Sequence, residues 1–346
     1  MRYTRVAIAS FGYELPPVVV SSAALEERLA PLYRELHIQP GQLEALTGVR
    51  ERRYWDAEQT MSDAAARAGR KALAASGLPP GDIGLLIYGG VCRDQLEPAT
   101  ACAVADRLGL GPNLEILDVS NACLGVVNGI VHAANAIELG HIRAGLIVSC
   151  ESARPIVDLT IQQMLEQRKM EHFRVSLATL TGGSGAVGVV VCESSLAKRG
   201  RRLLGGVIRS DARHHRLCRW GAKSGELVGP PTHLVTDASA VLEHGVALGT
   251  RTWQAFLQEL GWTAGQVDRT ICHQVGGPHR EAIMRSIGLP LEKDFQTYEF
   301  LGNIGTVSLP ITAAIAEERG LLEPGQRVAF LGIGSGLNCL MLGLAW

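Results

Sequence analysis

Residues 124–139 constrain this chain more than any other stretch. A helix laid over them is apolar on nearly every face, through Leu124, Val126, Val127, Ile130, Val131, Ala133, Ala134, Ala136, Ile137 and Leu139. Such a helix has to be enclosed by protein, because one that faces water keeps a polar side. The chain carries a second version of the same unit. From Cys123 it runs through this helix to a stop at Gly140, a polar turn at 141–143 and a strand over Ala144–Cys150. From Asn303 it runs through an Ala-rich helix at about 308–318 to Gly320, a turn at 323–327 and a strand over Val328–Ile333. The match predicts a duplicated fold. Further strand-like runs at Arg5–Ala9, Ile83–Val91, Glu115–Val119, Ala186–Cys192, Leu203–Ser210, Arg269–His273 and Cys339–Leu344 alternate with helical patterns, which marks the class as α/β. Two enclosed helices, one per half, are covered most simply by laying them between two sheets with more amphipathic helices outside. The expected architecture is therefore five-layered, α-β-α-β-α. The expected halves are residues 1–200, with a polar helical insertion at about 152–182, and residues 201–346. A basic, Gly- and Pro-rich loop is expected over 211–235.

In that arrangement the helix starts of the two units open toward each other, and Cys123, His273 and Asn303 all sit where a strand or loop feeds a helix. First-turn amides of a helix lack internal partners and carry partial positive charge. A sulfur held there is expected to be favoured as thiolate and to attack a carbonyl carbon, so Cys123 is the candidate nucleophile. The other members of a set of 8 cysteines form no Cys-x-x-Cys pair and read as small buried hydrophobes with reduced thiols. Neither Cys272-His273 nor His214-His215 has the spacing of a tetrahedral ligand set, so no metal is expected. A formal net charge of -1 gives no overall pull toward nucleic acid or an anionic membrane. No apolar run is long enough to span a bilayer and the opening residues are too short for a secretory leader, which predicts a cytoplasmic protein.

Four segments in this order resemble a known family. Ser120-Asn-Ala-Cys123, His273-Gln, Gly302-Asn303-Ile-Gly with Ser308-Leu-Pro310, and Leu46-Thr-Gly-Val-Arg50-Glu-Arg52-Arg53 are similar to motifs of the thiolase-fold condensing enzymes, in particular the ketoacyl-carrier-protein synthase III group. Within it, Arg93-Asp94-Gln-Leu-Glu97-Pro98, Pro278-His279 and Leu331-Gly-Ile-Gly-Ser-Gly-Leu-Asn338-Cys339 are closer to the OleA enzymes, which join two fatty acyl-CoA molecules head to head.

The resemblance implies a homodimeric acyltransferase that forms a 3-ketoacyl thioester by Claisen condensation without decarboxylation. Cys123 is acylated first. Backbone N–H groups of Cys123 and Ser335 stabilise the oxyanion. His273 and Asn303 donate hydrogen bonds to the enolate of the second thioester, and Glu97, supplied across the dimer interface, removes its C2 proton. Coenzyme A thioesters are substrates, with no permanently bound cofactor and with a carrier protein as the other conceivable acceptor. Charge and stacking surface for coenzyme A are offered by Arg50 and Arg53 and by Arg213, Arg216, Arg219 and Trp220. Two alternatives stay open: a synthase III that extends an acyl-CoA with malonyl-carrier protein, or a related polyketide acyl-transfer enzyme, and a thioesterase that releases acyl-Cys123 to water.

Overall fold

The computed structural model describes residues 1–221 and 233–346. Its centre is a nine-stranded sheet. In chain order the strands are β1 (Val6–Glu14), β2 (Ile83–Gly89), β3 (Glu115–Val119), β4 (Ala144–Glu151), β5 (Gly185–Glu193), β6 (Arg202–Ser210), β7 (Arg269–Cys272), β8 (Arg327–Gly334) and β9 (Asn338–Ala345). Their spatial order is β3-β2-β4-β5-β1-β6-β9-β8-β7. The duplication is visible in this order. In the first half β3, β2 and β4 are parallel while β5 is antiparallel to β4 and β1; in the second, β7 and β8 are parallel while β9 is antiparallel to β8 and β6. A single parallel bridge between Thr270 and Asp294 stands where β3 stands in the first half. The half-sheets touch through β1 and β6 at one residue pair, Ala7 and Arg202, so hydrogen bonding runs on from one to the other.

Between the half-sheets lie α3 (Gly125–Glu138) and α6 (Ser308–Glu318), following α1 (Met61–Ser76) and α2 (Thr100–Leu108) in the first half and α4 (Ala238–Leu260) and α5 (Gly277–Ser286) in the second. One core joins Val126, Val127 and Ile130 of α3 and Leu309, Ile311 and Ile315 of α6 to inward side chains of both half-sheets, such as Ile147, Val189, Phe330 and Leu342. Each large apolar side chain so enclosed contributes about 1.5–3 kcal/mol. A second core packs α1 and α2 on the outer face of the first half-sheet, and a third packs α4 and α5 on that of the second. These are the five layers the patterning predicts. The two central helices are not enclosed alike: Ser308 to Ala316 of α6 are all buried, whereas His132 and Asn135 of α3 and Leu139 just past its end are exposed.

The insertion is helical as expected, with helices Arg154–Gln167 and Met170–Ser176. Val157, Ile161, Met164 and Phe173 pack on Leu25, Leu29 and Leu32 as a fourth core beside the main one. Of the basic loop over 211–235, residues Cys218–Gly221 and His233–Thr236 form an antiparallel pair, and its central part, 222–232, lies outside the described residues. Among the described residues no helix is long and apolar enough to cross a membrane.

Candidate active site

The end of β3 leads to a tight turn rather than directly into α3. Ala122 is held at φ 45° in the left-handed region, which side chains rarely adopt, and the turn lifts Cys123 out two residues before the helix begins at Gly125. Gly125 has no room for a side chain, since a Cβ there would sit 2.9 Å from the backbone of Gly89 at the end of β2. The helix start is closed by the other half of the molecule: the amide of Val126 donates to Thr306 Oγ1 at 2.8 Å. A clasp of asparagines fixes the turn from a third side. Asn338 Nδ2 donates to Asn121 Oδ1 at 3.0 Å, and Asn121 Nδ2 donates to Asn128 Oδ1 at 2.8 Å. Asn338 Nδ2 also donates to the carbonyl of Ser335 at 3.2 Å, so the Gly334-Ser335 turn and the Cys123 turn share one anchor. Gly334 lies so near that a Cβ on it would be 3.3 Å from the Cys123 amide nitrogen.

His273 follows β7. Its amide donates to the carbonyl of Leu331, which extends the pairing with β8 by one residue, and its Nδ1 is 2.7 Å from the Ser308 hydroxyl at the start of α6. The amide of Gln274 also reaches the Ser308 oxygen, at 3.5 Å. We assign the Ser308 hydroxyl as donor to Nδ1, which leaves the proton on Nε2, the nitrogen turned away from this anchor.

Asn303 is held by the end of the insertion. Its amide donates to Thr181 and its carbonyl accepts from Gly183, each at 2.9 Å. Gly302, at φ 68°, is needed for this approach, because a Cβ there would lie 2.3 Å from the Thr181 carbonyl. The Asn303 Oδ1 is taken by the amide of Gly305 at 3.1 Å, so its side chain has its NH2 group free to donate.

Cys123, His273, Asn303 and Ser335 line one cavity of about 590 Å³. Its further walls are largely apolar, with Ile156 of the insertion, Val241 and Val246 of α4, Ile283 of α5 and Met341 of β9. Gly245 and Gly249 face it one helical turn apart and keep α4 close to its neighbours: a Cβ on Gly249 would meet Ile283 at 2.8 Å.

The cavity changes the protonation expected of its two titratable groups. Burial pushes the Cys123 thiol up to about 12, with the charges of Cys218 and Glu151 adding to the rise, and pushes the His273 imidazole down to about 4, helped by nearby His279. The expectation of a stabilised thiolate is thus overturned. Cys123 stands before the helix rather than in its first turn, the Val126 amide is already used by Thr306, and the surface that the half-exposed cysteine retains faces the cavity. Desolvation then outweighs the helix end. The resting pair is a thiol and a neutral imidazole. Because the thiolate fraction grows with pH until the raised pKa is reached, alkylation of Cys123 by iodoacetamide is expected to accelerate about tenfold per pH unit from about pH 6 to 9 without a plateau. A plateau near neutral pH, followed by intact-protein mass, defeats this assignment.

Not every residue singled out from sequence reaches the cavity. Glu97 is exposed on the loop between β2 and α2 and lies outside its lining. Arg219 and Trp220 line it, whereas Arg50 and Arg216 are exposed elsewhere. Arg213 is engaged by Asp211, with Nε at 2.9 Å and Nη2 at 2.8 Å from its carboxylate oxygens, beside a separate surface pocket. Half-buried Arg53 donates to the carbonyl of Pro16 at 3.2 Å, a structural use of its guanidinium. His279 also joins the lining. Glu151, absent from the sequence reading, is the carboxylate in the wall.

Comparison with known proteins shows the family. Residues 117–212 match the model of 3-oxoacyl-[acyl-carrier-protein] synthase III, and residues 257–346 match the model of its C-terminal region. The chain is 52% identical to the acyl-CoA:acyl-CoA alkyltransferase of Shewanella oneidensis and 38% identical to that of Xanthomonas campestris pv. campestris, covering 100% of each chain in both cases. The chain belongs to the acyl-CoA:acyl-CoA alkyltransferase family, the OleA enzymes. Its fold agrees with that family throughout: a solved structure of Xanthomonas campestris OleA with bound lauric acid and lauroyl-CoA superposes with a TM-score of 0.93 at 38% identity, covering 99% of this chain and 100% of that one. Solved OleA variants include a cysteine replaced by serine, a histidine by asparagine and a glutamate by glutamine. OleA enzymes are condensing enzymes of the thiolase fold, and this chain has that fold in full.

Proposed function

We propose that this enzyme condenses two fatty acyl-CoA molecules into a 3-ketoacyl-CoA by a Claisen reaction without decarboxylation, through an acyl-Cys123 intermediate. The observation that carries the reading is one apolar-walled cavity lined by a nucleophile, an imidazole and a carboxamide whose anchoring leaves N–H groups free to donate. In the first half-reaction the Cys123 sulfur bonds to the acyl carbon, the bond to coenzyme A breaks, and the thiol proton leaves on the coenzyme A sulfur. The amides of Cys123 and Ser335, brought together by the Gly334 approach and the Asn338 clasp, are the oxyanion donors. A donor of this kind supplies roughly 3 kcal/mol of barrier lowering.

In the second half-reaction the next acyl-CoA loses a C2 proton to the carboxylate of Glu97, its enolate oxygen accepting from His273 Nε2 and Asn303 Nδ2. The C2 carbon then bonds to the acyl carbon as the bond to Cys123 breaks. A neutral imidazole suits the donor role, since it gives a hydrogen bond without holding a buried positive charge. The exposed position of Glu97 in a single chain fits a homodimer in which each chain lends this residue to the other. The boundary between the halves falls near residue 200, just before β6. Arg219 and Trp220 are the coenzyme A contacts that the cavity best supports.

Purified protein given one fatty acyl-CoA and nothing else is expected to release coenzyme A and yield a β-keto product containing both chains. Free fatty acid as the sole product would make the protein a thioesterase, and a requirement for malonyl-carrier protein would make it a decarboxylating synthase.

A further inference from the structure

Glu151 closes β4 with its side chain 6% exposed, in the wall of the Cys123 cavity. Among the described residues no cation pairs with it, and burial raises its pKa from the ordinary value of a glutamate. A buried carboxylate of this kind is costly unless its hydrogen bonds are needed. Both oxygens are spent on one loop: the amides of Val91 and Cys92 donate to Oε1 at 3.0 Å and Oε2 at 3.3 Å. Its stem meanwhile lies against the turn that carries Asn303, where a Cβ on Gly305 would be 3.3 Å from Glu151 Cγ.

The loop so gripped is the one that bears Glu97. After Cys92, the carboxylate of Asp94 accepts from the amides of Met61 and Ser62 at 2.6 and 3.2 Å, at the start of α1. At the far end Asp118 accepts from Thr100 and Ala101 at 2.9 and 3.0 Å, at the start of α2. Between these anchors residues 95–98 are exposed, with Leu96 at 67%. The loop is a tip held by its roots. Asp94 and Asp118 tie it to the outer helices, while Glu151 ties it to the cavity.

We propose that Glu151 is a positioning residue for Glu97, setting the projection of the loop from the wall of the active-site cavity. The inference rests on the role given to Glu97 above. In Glu151→Gln one of the two loop amides meets an NH2 group in place of an acceptor, so the root shifts while side-chain volume is kept. Condensation by Glu151→Gln is expected to fall about tenfold in kcat with little change in KM, and acylation of Cys123, followed by intact-protein mass, not to slow, because losing the charge of Glu151 lowers the thiol's pKa rather than raising it. The double variant Glu97→Gln/Glu151→Gln is expected to condense no more slowly than Glu97→Gln alone, because a residue that acts through another adds nothing once that other is gone.

Amide hydrogen exchange over residues 91–99, measured without substrate, is expected to quicken in Glu151→Gln while β4 and α3 keep the parent's protection. Multiplying effects in the double variant, condensation by Glu151→Gln at the parent's rate, or unchanged exchange in that loop would each overturn the proposal. Equal condensation by Glu97→Gln and the parent would instead overturn the reading of Glu97, and exchange would still report whether Glu151 holds the loop.

Discussion

Replacing Cys123 with alanine is expected to remove the acyl-enzyme mass shift altogether and to lower condensation by at least about a thousandfold. The expectation follows from what the cavity offers in place of the sulfur. Cys92, Cys218, Cys272 and Cys339 also line it, but Cys123 alone stands at a strained turn with its own amide beside the Gly334-Ser335 turn. An acyl group carried elsewhere would lie away from the two amides proposed as oxyanion donors. The fold is expected to tolerate the change, because Cys123 is half-exposed to an existing cavity and the turn is held by Asn121, Asn338 and Thr306 rather than by the thiol. A melting temperature near the parent's, together with lost acylation, separates loss of chemistry from loss of structure. Cys102→Ala, an exposed position on α2, is expected to acylate like the parent. Persistent acylation of the Cys123→Ala protein would remove Cys123 as the acyl carrier.

The patterning of apolar residues reaches far into this structure. Strand β3 and helix α6 fall at the residues their sequences predict, and the pairing of all-round apolar helices anticipates both the duplication and the layers. Local sequence suffices there because burial selects period and composition along the element itself. The convergence of Cys123, His273 and Asn303 is also legible, since each lies at the entry to a helix of known place in the repeat. Protonation is not. Whether Cys123 rests as thiol or thiolate depends on Thr306 reaching across from the other half and on cavity walls drawn from the insertion, α4, α5 and β9. No spacing encodes those contacts. Arginine is similarly opaque: Arg53 reads as a cation for coenzyme A yet holds the carbonyl of Pro16, and its neighbour Arg52 is fully buried, donating to the carbonyl of Leu180 and the hydroxyl of Ser22, and so buttresses the segment that holds Asn303. Glu151 is not legible in the sequence, because a single acidic residue at a strand end carries no pattern; only the loop folded onto its carboxylate gives it meaning.

Glu97→Gln is expected to acylate Cys123 at the parent's rate and then stall, with condensation lowered by about 10²–10⁴-fold. The two half-reactions differ in where a proton must go. Acylation moves the thiol proton to the departing coenzyme A sulfur and calls on no carboxylate, whereas an unactivated acyl-CoA cannot become an enolate until a base takes a proton from C2. Glutamine keeps the shape of the side chain and cannot accept that proton. Condensation at the parent's rate would remove Glu97 from the mechanism. Its exposed place on the loop makes the subunit of origin testable as well. In the proposed homodimer, coexpressed Cys123→Ala and Glu97→Gln chains would pair as two inactive homodimers and a mixed dimer. If Glu97 crosses the interface, one site of each mixed dimer combines an intact Cys123 with an intact Glu97, so random pairing restores about a quarter of the parent's activity. If Glu97 served its own chain, every site in the mixture would lack one of the two groups, and the coexpressed protein would be as inactive as its parts.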